Sequence, residues 1–277
     1  MHLNQGKIKV AIKKEHIAKD HCIANISIVP IRKKAEDQSE IVSQLLYGET
    51  ANILQRKNKS WLKIECSWDG YVGWIDPKQV IELTDKEYTY YSKDVAVSID
   101  ISQSLINERV SFPILAGSSL PHFDGMSFRM PDGKYIFNGQ AVMQHNNVIT
   151  SDLLSKIARK YINAPYLWGG RSPFGIDCSG FIQVLFKCIG LDLPRDSFQQ
   201  AEKGELIDFV AEVLEGDLAF FANSEGKIIH VGLCLNDGQI IHASGKVRID
   251  RLDHEGIFNL TTKKYSHKLK CIKRIIT

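Results

Sequence analysis

The sequence predicts an α+β chain. Small β-barrels occupy its first half, and helices followed by an antiparallel sheet occupy its second. Three observations carry this. Short β-type runs broken by turn signals dominate before about residue 150. Two runs with helical spacing follow directly after it. From about residue 215 strands return in close succession, the order expected of an α+β domain. At 277 residues the chain exceeds an ordinary single domain, so two or three domains are expected.

In order along the chain, "IVSQLLYGETANILQ" (41–55) and "SWLKIECSWDGYVGWI" (60–75) come first. In the second run Leu62, Ile64 and Cys66 alternate with Trp61, Lys63 and Glu65, the period of a half-buried strand. Asp69-Gly70 marks the turn into a returning strand, "YVGWI", and this spacing of short strands suggests a small barrel. A second β-rich stretch covers 110–139, with "MPDGK" as a hairpin turn. In "TSDLLSKIARKYIN" (150–163) Thr150 or Ser151 can cap a helix that places Leu153, Leu154, Ile157, Ala158 and Tyr161 on one side. "CSGFIQVLFKCIG" (178–190) reads as a second helix stopped by Gly190. Strands follow in "GDLAFFA", "KIIHVGLCL", "QIIHASG", "KVRID" and "KLKCIKRI".

Composition narrows the function classes. At 44% hydrophobic and 24% charged, the chain has a globular balance. A net charge of +3 without a long basic run argues against a nucleic-acid partner. No stretch of about 18 apolar residues occurs, so no transmembrane helix is expected. The first twenty residues lack the apolar core of a secretory signal, which points to the cytoplasm; a trimmed signal would instead mean secretion. The six cysteines are dispersed and form no CxxC pair, so neither a metal site nor a disulfide framework is expected, and no cofactor is called for. Oligomeric state is not legible, and a monomer is the simplest expectation.

The chemistry centres on Cys178, in "GIDCSGFIQVLF" (175–186). A lone cysteine at a helix start is usually packing, yet the unpaired amides and positive dipole end of a helix also stabilise a thiolate. On that reading Cys178 is expected to alkylate well below pH 8. Asp177 can cap the helix. Cys188 on the same helix, with Cys22, Cys66, Cys234 and Cys271, reads as core. Of nine histidines, His230 and His242 sit inside apolar strands joined by Asn236-Asp237-Gly238. A three-residue loop, a type I turn followed by a left-handed glycine, pairs Leu235 with Gln239 and His242 with Gly232. Both histidines then lie on one face, diagonally within reach; a two-residue loop would set them apart. Cysteine at a helix start, histidine on a strand and a second ring to orient that histidine is the logic of papain-type thiol peptidases.

At these residues the chain resembles the NlpC-type cell-wall peptidases. "APYLWGGRSPFGIDCSGF", "LPRDSFQQ", "GDLAFF", "IIHVGLCL" and "IIHASG" match that family's successive motifs in order and spacing from about 150 onward. The resemblance implies a papain-like domain over 149–277 with a Cys178–His230–His242 triad, and a Tyr166 hydroxyl that helps hold the oxyanion.

"SEIVSQLLYGE" with "DGYVGWID" is in turn similar to the bacterial SH3-like domain that precedes the catalytic domain in the γ-D-glutamyl-L-diamino-acid endopeptidases, of the dipeptidyl-peptidase VI type. By that resemblance residues 1–20 are an N-terminal segment, 21–83 a first SH3-like domain and 84–148 a second, divergent one. The implied reaction is hydrolysis of the bond between γ-D-glutamate and L-lysine or meso-diaminopimelate in small murein peptides with a free N-terminal L-alanine, in cell-wall peptide recycling. The implied contacts to the peptide are Glu40 (or Glu36 nearby), Tyr71, Asp177, Ser179 and Ser197. Asp177 and Ser197 have rival roles as helix caps, and Glu40 as an ordinary surface charge. Two other readings stay open at this point: a non-catalytic wall- or peptide-binding protein, and an amidase or acyltransferase of the same fold.

Overall fold

A computed structural model describes residues 19–143 and 150–276. The expectations for residues 1–18 and 144–148 lie outside the described residues. His21–Ala24, Ile28–Arg32, Ile41–Leu46, Thr50–Lys57, Trp61–Cys66, Val72–Ile75 and Val80–Leu83 form one seven-stranded antiparallel sheet. It curls into a barrel-like unit because its inward residues, among them Val29, Ile31, Leu62, Ile64 and Cys66, share one apolar core. The alternation expected for Trp61–Cys66 appears in its burial, and Gly70 turns with φ +68°. A short helix, Asp85–Tyr91, opens with a capping box of Thr84 and Glu87. Two small sheets of four and three strands then enclose an aromatic-rich core of Leu105, Phe128, Tyr135 and Phe137, which also takes in Tyr47 and Leu83 from the first barrel.

In the last part, helix α1 (Ser151–Lys160) starts from Thr150, whose hydroxyl accepts from the Leu153 amide. Helix α2 (Cys178–Cys188) is buried along its whole length, as its apolar sequence requires. It ends at the Gly190 turn, with φ +83° and Leu191 N–H donating back to the Phe186 carbonyl. Helix α3 (Ser197–Gln200) is a single turn. The sheet comprises β1 (Glu205–Ile207), β2 (Leu218–Ala222), β3 (Ile228–Leu235), β4 (Gln239–Ser244), β5 (Lys246–Leu252), β6 (Gly256–Asn259) and β7 (Lys264–Arg274). Its order is β1-β7-β2-β3-β4-β5-β6, and β6 pairs back onto the long strand β7, closing six strands into a ring. Helices α1 and α2 share one apolar cluster with Val231, Leu233 and Ile241 on one side of that sheet. Among the described residues no helix is long and apolar enough to cross a membrane.

Candidate active site

Strands β3 and β4 pair Leu235 with Gln239, Cys234 with Ile240 and Leu233 with Ile241, the register the three-residue loop predicts. The turn backbone differs from the expected type I turn: Asp237 and Gly238 both have positive φ, +59° and +63°. Aspartate tolerates that region, so the register survives the change. His230 and His242 therefore share a face, and His230 Nε2 lies 2.9 Å from His242 Nδ1. Gly232 makes the space: a Cβ there would stand 3.0 Å from that of His242.

Both rings are buried. His242 Nε2 continues to the Asp250 carboxylate at 3.2 Å. On the other side His267, from β7, stacks on His230 with ring centres 4.1 Å apart. Burial first, then the neighbouring His242 and His267, push the His230 pKa well below its usual 6.5. His230 is therefore a neutral base at pH 7.

Cys178 is the first residue of α2, and Asp177 caps the helix with its Oδ1 accepting from the Gly180 amide at 2.7 Å. The thiol does not behave as the helix position suggested. Burial, with the Asp177 carboxylate behind it, drives its pKa up to about 12, against the opposing pull of the Val231 and Ser179 amides and Arg195. Burial of the thiol thus works against the expected thiolate well below pH 8, because desolvation outweighs the Val231 and Ser179 amides and Arg195. Cys178 and His230 rest as neutral thiol and neutral imidazole. The consequence is measurable in two ways. Alkylation of Cys178 by iodoacetamide should be slow at pH 7 and climb about tenfold per pH unit beyond pH 9, the thiolate being the reactive form. The acid limb of kcat/KM should fall well below pH 6.5, the ordinary imidazole value, since protonation of His230 is what removes the base. A thiol that reacts at a pH-independent rate from pH 7 upward would contradict the first.

Asp177 is held more tightly than a simple cap. Arg195 Nη2 and Nη1 reach its two oxygens at 2.6 and 3.0 Å, and the Gly169 amide donates to Oδ2 at 2.8 Å. Arg195 Nη1 also donates to the Ser179 hydroxyl at 2.9 Å and its Nε to Ser43 at 3.2 Å. Asp177 and Ser179 are both buried in this network. Arg195, buried in the middle of "LPRDSFQQ", escapes sequence reading, because nothing local says that its partner is eighteen residues back. Ser197 is the first residue of α3 rather than its cap; the cap position belongs to Asp196.

The first barrel supplies one wall. The loop from Tyr166 to Arg171 docks on strand Ile41–Leu46 so closely that a Cβ on Gly169 would stand 2.2 Å from the Ile41 carbonyl oxygen. Arg171 N–H donates to Gln44 Oε1 at 2.7 Å, and Gln183 Nε2 to Asp69 at 2.9 Å. Across this seam Trp168 Nε1 donates to Glu40 at 2.7 Å, while Lys33 holds the other oxygen at 3.1 Å. The Lys33 and Trp168 hydrogen bonds lower the pKa of the exposed Glu40 carboxyl. Glu36 stands in the preceding turn, exposed. Tyr71 is partly buried, and its hydroxyl pKa is raised, first by desolvation and then by the Asp196, Asp69 and Asp177 charges against the pull of Arg195. Tyr166 is 36% exposed, and burial first, with Cys178 and Asp177 beside it, raises its hydroxyl to about 12, so it remains a donor at neutral pH. Thiol, paired imidazoles and hydroxyl donor together can carry out acyl transfer.

Comparison with known proteins gives the same answer from another side. Residues 163–266 match the model of the NlpC/P60 family, and residues 31–80 that of the bacterial dipeptidyl-peptidase Sh3 domain. The "Probable endopeptidase NlpC" of Escherichia coli (strain K12) is 36% identical over 120 residues, which cover 40% of this chain and 77% of that protein. The chain belongs to the NlpC/P60 family. It is a hydrolase of the cysteine-peptidase type. Another NlpC/P60 relative matches over both halves: a "Gamma-D-glutamyl-L-lysine dipeptidyl-peptidase" of Bacillus cereus (strain ATCC 10987 / NRS 248) is 28% identical over 230 residues, 74% of this chain and 68% of that one. The crystal structure of an NlpC/P60 family protein from Bacillus cereus ATCC 10987 superposes with a TM-score of 0.79 at 20% identity, covering 93% of this chain and 100% of that one. This likeness bears on the fold: an SH3-like barrel ahead of an NlpC/P60 domain.

Proposed function

We propose that this NlpC/P60 protein is an endopeptidase of small murein peptides that cuts between γ-D-glutamate and L-lysine or meso-diaminopimelate when the N-terminal L-alanine is free, in cell-wall peptide recycling. The observation that carries the specificity is the Glu40 carboxylate at the seam, tied to Trp168 of the catalytic half. An α-ammonium can displace the exposed Lys33 from its second oxygen, whereas a blocked amine carries no charge to replace it. Two relatives named as γ-D-glutamyl-L-lysine dipeptidyl-peptidases support the same substrate class.

In this mechanism His230 takes the Cys178 proton as the sulfur attacks the γ-glutamyl carbonyl. It then protonates the leaving α-amine of the diamino acid, and water releases the acyl group in the second half. His242 orients His230, and the Tyr166 hydroxyl donates to the oxyanion. Tyr71 lines the amine end with Glu40, and Ser179 and Ser197 line the peptide path. Asp177 acts there by holding the helix start that carries Cys178.

The test is product analysis by mass spectrometry. L-Ala-γ-D-Glu-L-Lys should yield L-Ala-D-Glu and lysine. Its N-acetylated form should be cut at least about 100-fold more slowly, the size expected when a site built to bind a charged group meets an analogue lacking it. Equal rates on both peptides, or cleavage at another bond, would overturn the substrate assignment.

A further inference from the structure

Asp250 enters none of the roles above, yet it is fully buried at the end of the histidine line. It lies on β5, opposite Ile240, while Arg248 lies opposite His242. Its Oδ2 faces His242 Nε2 at 3.2 Å, and its Oδ1 accepts from the Leu260 amide at 2.8 Å and from Arg248 Nη2 at 2.9 Å. The Arg248 guanidinium also approaches Oδ2 through Nε at 2.7 Å. Burial works against the charge, but the bonds from His242, Arg248 and Leu260 outweigh it and hold the carboxyl at about 2. An ionised carboxylate only accepts hydrogen bonds.

From this the protons follow one after another. His242 Nε2 must donate to Asp250, so in a neutral ring His242 Nδ1 carries a lone pair. That lone pair faces His230 Nε2 at 2.9 Å, so His230 Nε2 must carry the hydrogen. The nitrogen left without a proton is His230 Nδ1. The other neighbours of His230 cannot dictate this. His267 meets it face to face, with rings 22° from parallel and its own Nδ1 engaged with Ser266, and Phe221 offers only a ring.

We infer that Asp250, held by Arg248, is a positioning residue that sets the tautomers of His242 and His230 and so leaves His230 Nδ1 as the proton acceptor. This rests on the peptidase reading, in which His230 is the base. In the step itself one proton passes from Cys178 Sγ to His230 Nδ1 and later to the leaving amine. His242 keeps its proton on Nε2 and Asp250 stays ionised, its charge stabilising the transient imidazolium through two hydrogen bonds.

Two measurements test it. Nitrogen-15 NMR of histidine-labelled protein at pH 7 should find His230 and His242 both protonated at Nε2. In Asp250→Asn an amide can donate to His242 Nε2, so both rings should shift toward the Nδ1–H form, and kcat should fall about 10²–10⁴-fold with KM little changed, as expected for a base in the wrong tautomer. A wild-type His230 protonated at Nδ1, a doubly protonated His242, or an Asp250→Asn enzyme within threefold of wild-type kcat would each overturn the inference. The wild-type spectrum needs neither turnover nor the variant. Its failure is therefore distinct from failure of the peptidase reading, which would appear as hydrolysis that does not depend on Cys178.

Discussion

Cys178→Ala is expected to lower turnover of L-Ala-γ-D-Glu-L-Lys by at least about 10⁴-fold, since removal of the nucleophile leaves only binding and oxyanion contacts. The side chain is small and buried at the start of α2, so replacing its thiol by hydrogen costs little packing. The thermal transition should stay within a few degrees of the parent. Tyr166→Phe belongs in the same series and should sit between, with kcat down about 10²-fold and KM nearly unchanged, the size of one lost oxyanion donor. Single-turnover kinetics with mass-spectrometric detection of the products separates these cases. A Cys178→Ala protein that keeps full activity would remove the thiol mechanism altogether.

The largest loss of stability is expected at Glu49→Gln. Glu49 lies in the turn before strand Thr50–Lys57 and is buried with two cations from the catalytic half. Arg171 donates to both its oxygens, at 2.8 and 2.9 Å, and Lys187 of α2 donates to Oε1 and to Ser119. Both cations also lie over the Trp68 ring. Burial alone would raise the Glu49 pKa, but Arg171 and Lys187 more than reverse it, to about 2 from an ordinary 4.5. Removing the charge leaves two buried cations without an anion, a loss of about 3–5 kcal/mol, or about 10 °C in Tm. The sign of the pH effect follows from the lowered pKa. The carboxylate's contribution is complete above about pH 4.5 and is lost as pH falls toward 2, so the stability gap between the parent and Glu49→Gln should close over that range. Calorimetry across that range checks both statements. A Glu49→Gln protein as stable as the parent would mean that the junction is held by packing alone.

Much of the site was legible from local signals. Cys178 after a capping aspartate, and two histidines inside apolar strands, stand out because residue type and period are local properties. The hairpin register followed from loop length, since strand side chains alternate strictly. Other features were not legible. Arg195 binds Asp177 from another segment, and Asp250 reaches His242 only through the tight β4–β5 pairing. His267 arrives from the long strand that closes the ring. The direction of the thiol's pKa shift was not legible for the same kind of reason: the helix start is written in the neighbouring residues, but the burial that raises the pKa is assembled from distant ones.

By itself, then, the sequence determined the order of barrel, helices and sheet, the place of Cys178 at a helix start and the face shared by His230 and His242, because periodicity, capping and turn length act over a few residues. Only the tertiary structure decided that Glu40 meets Trp168, that Glu49 carries two buried cations, and that Asp250 ends the histidine line. Those are electrostatic pairings across segments. Their strength depends on exclusion of water, which no short stretch of chain can specify before the domains close on one another.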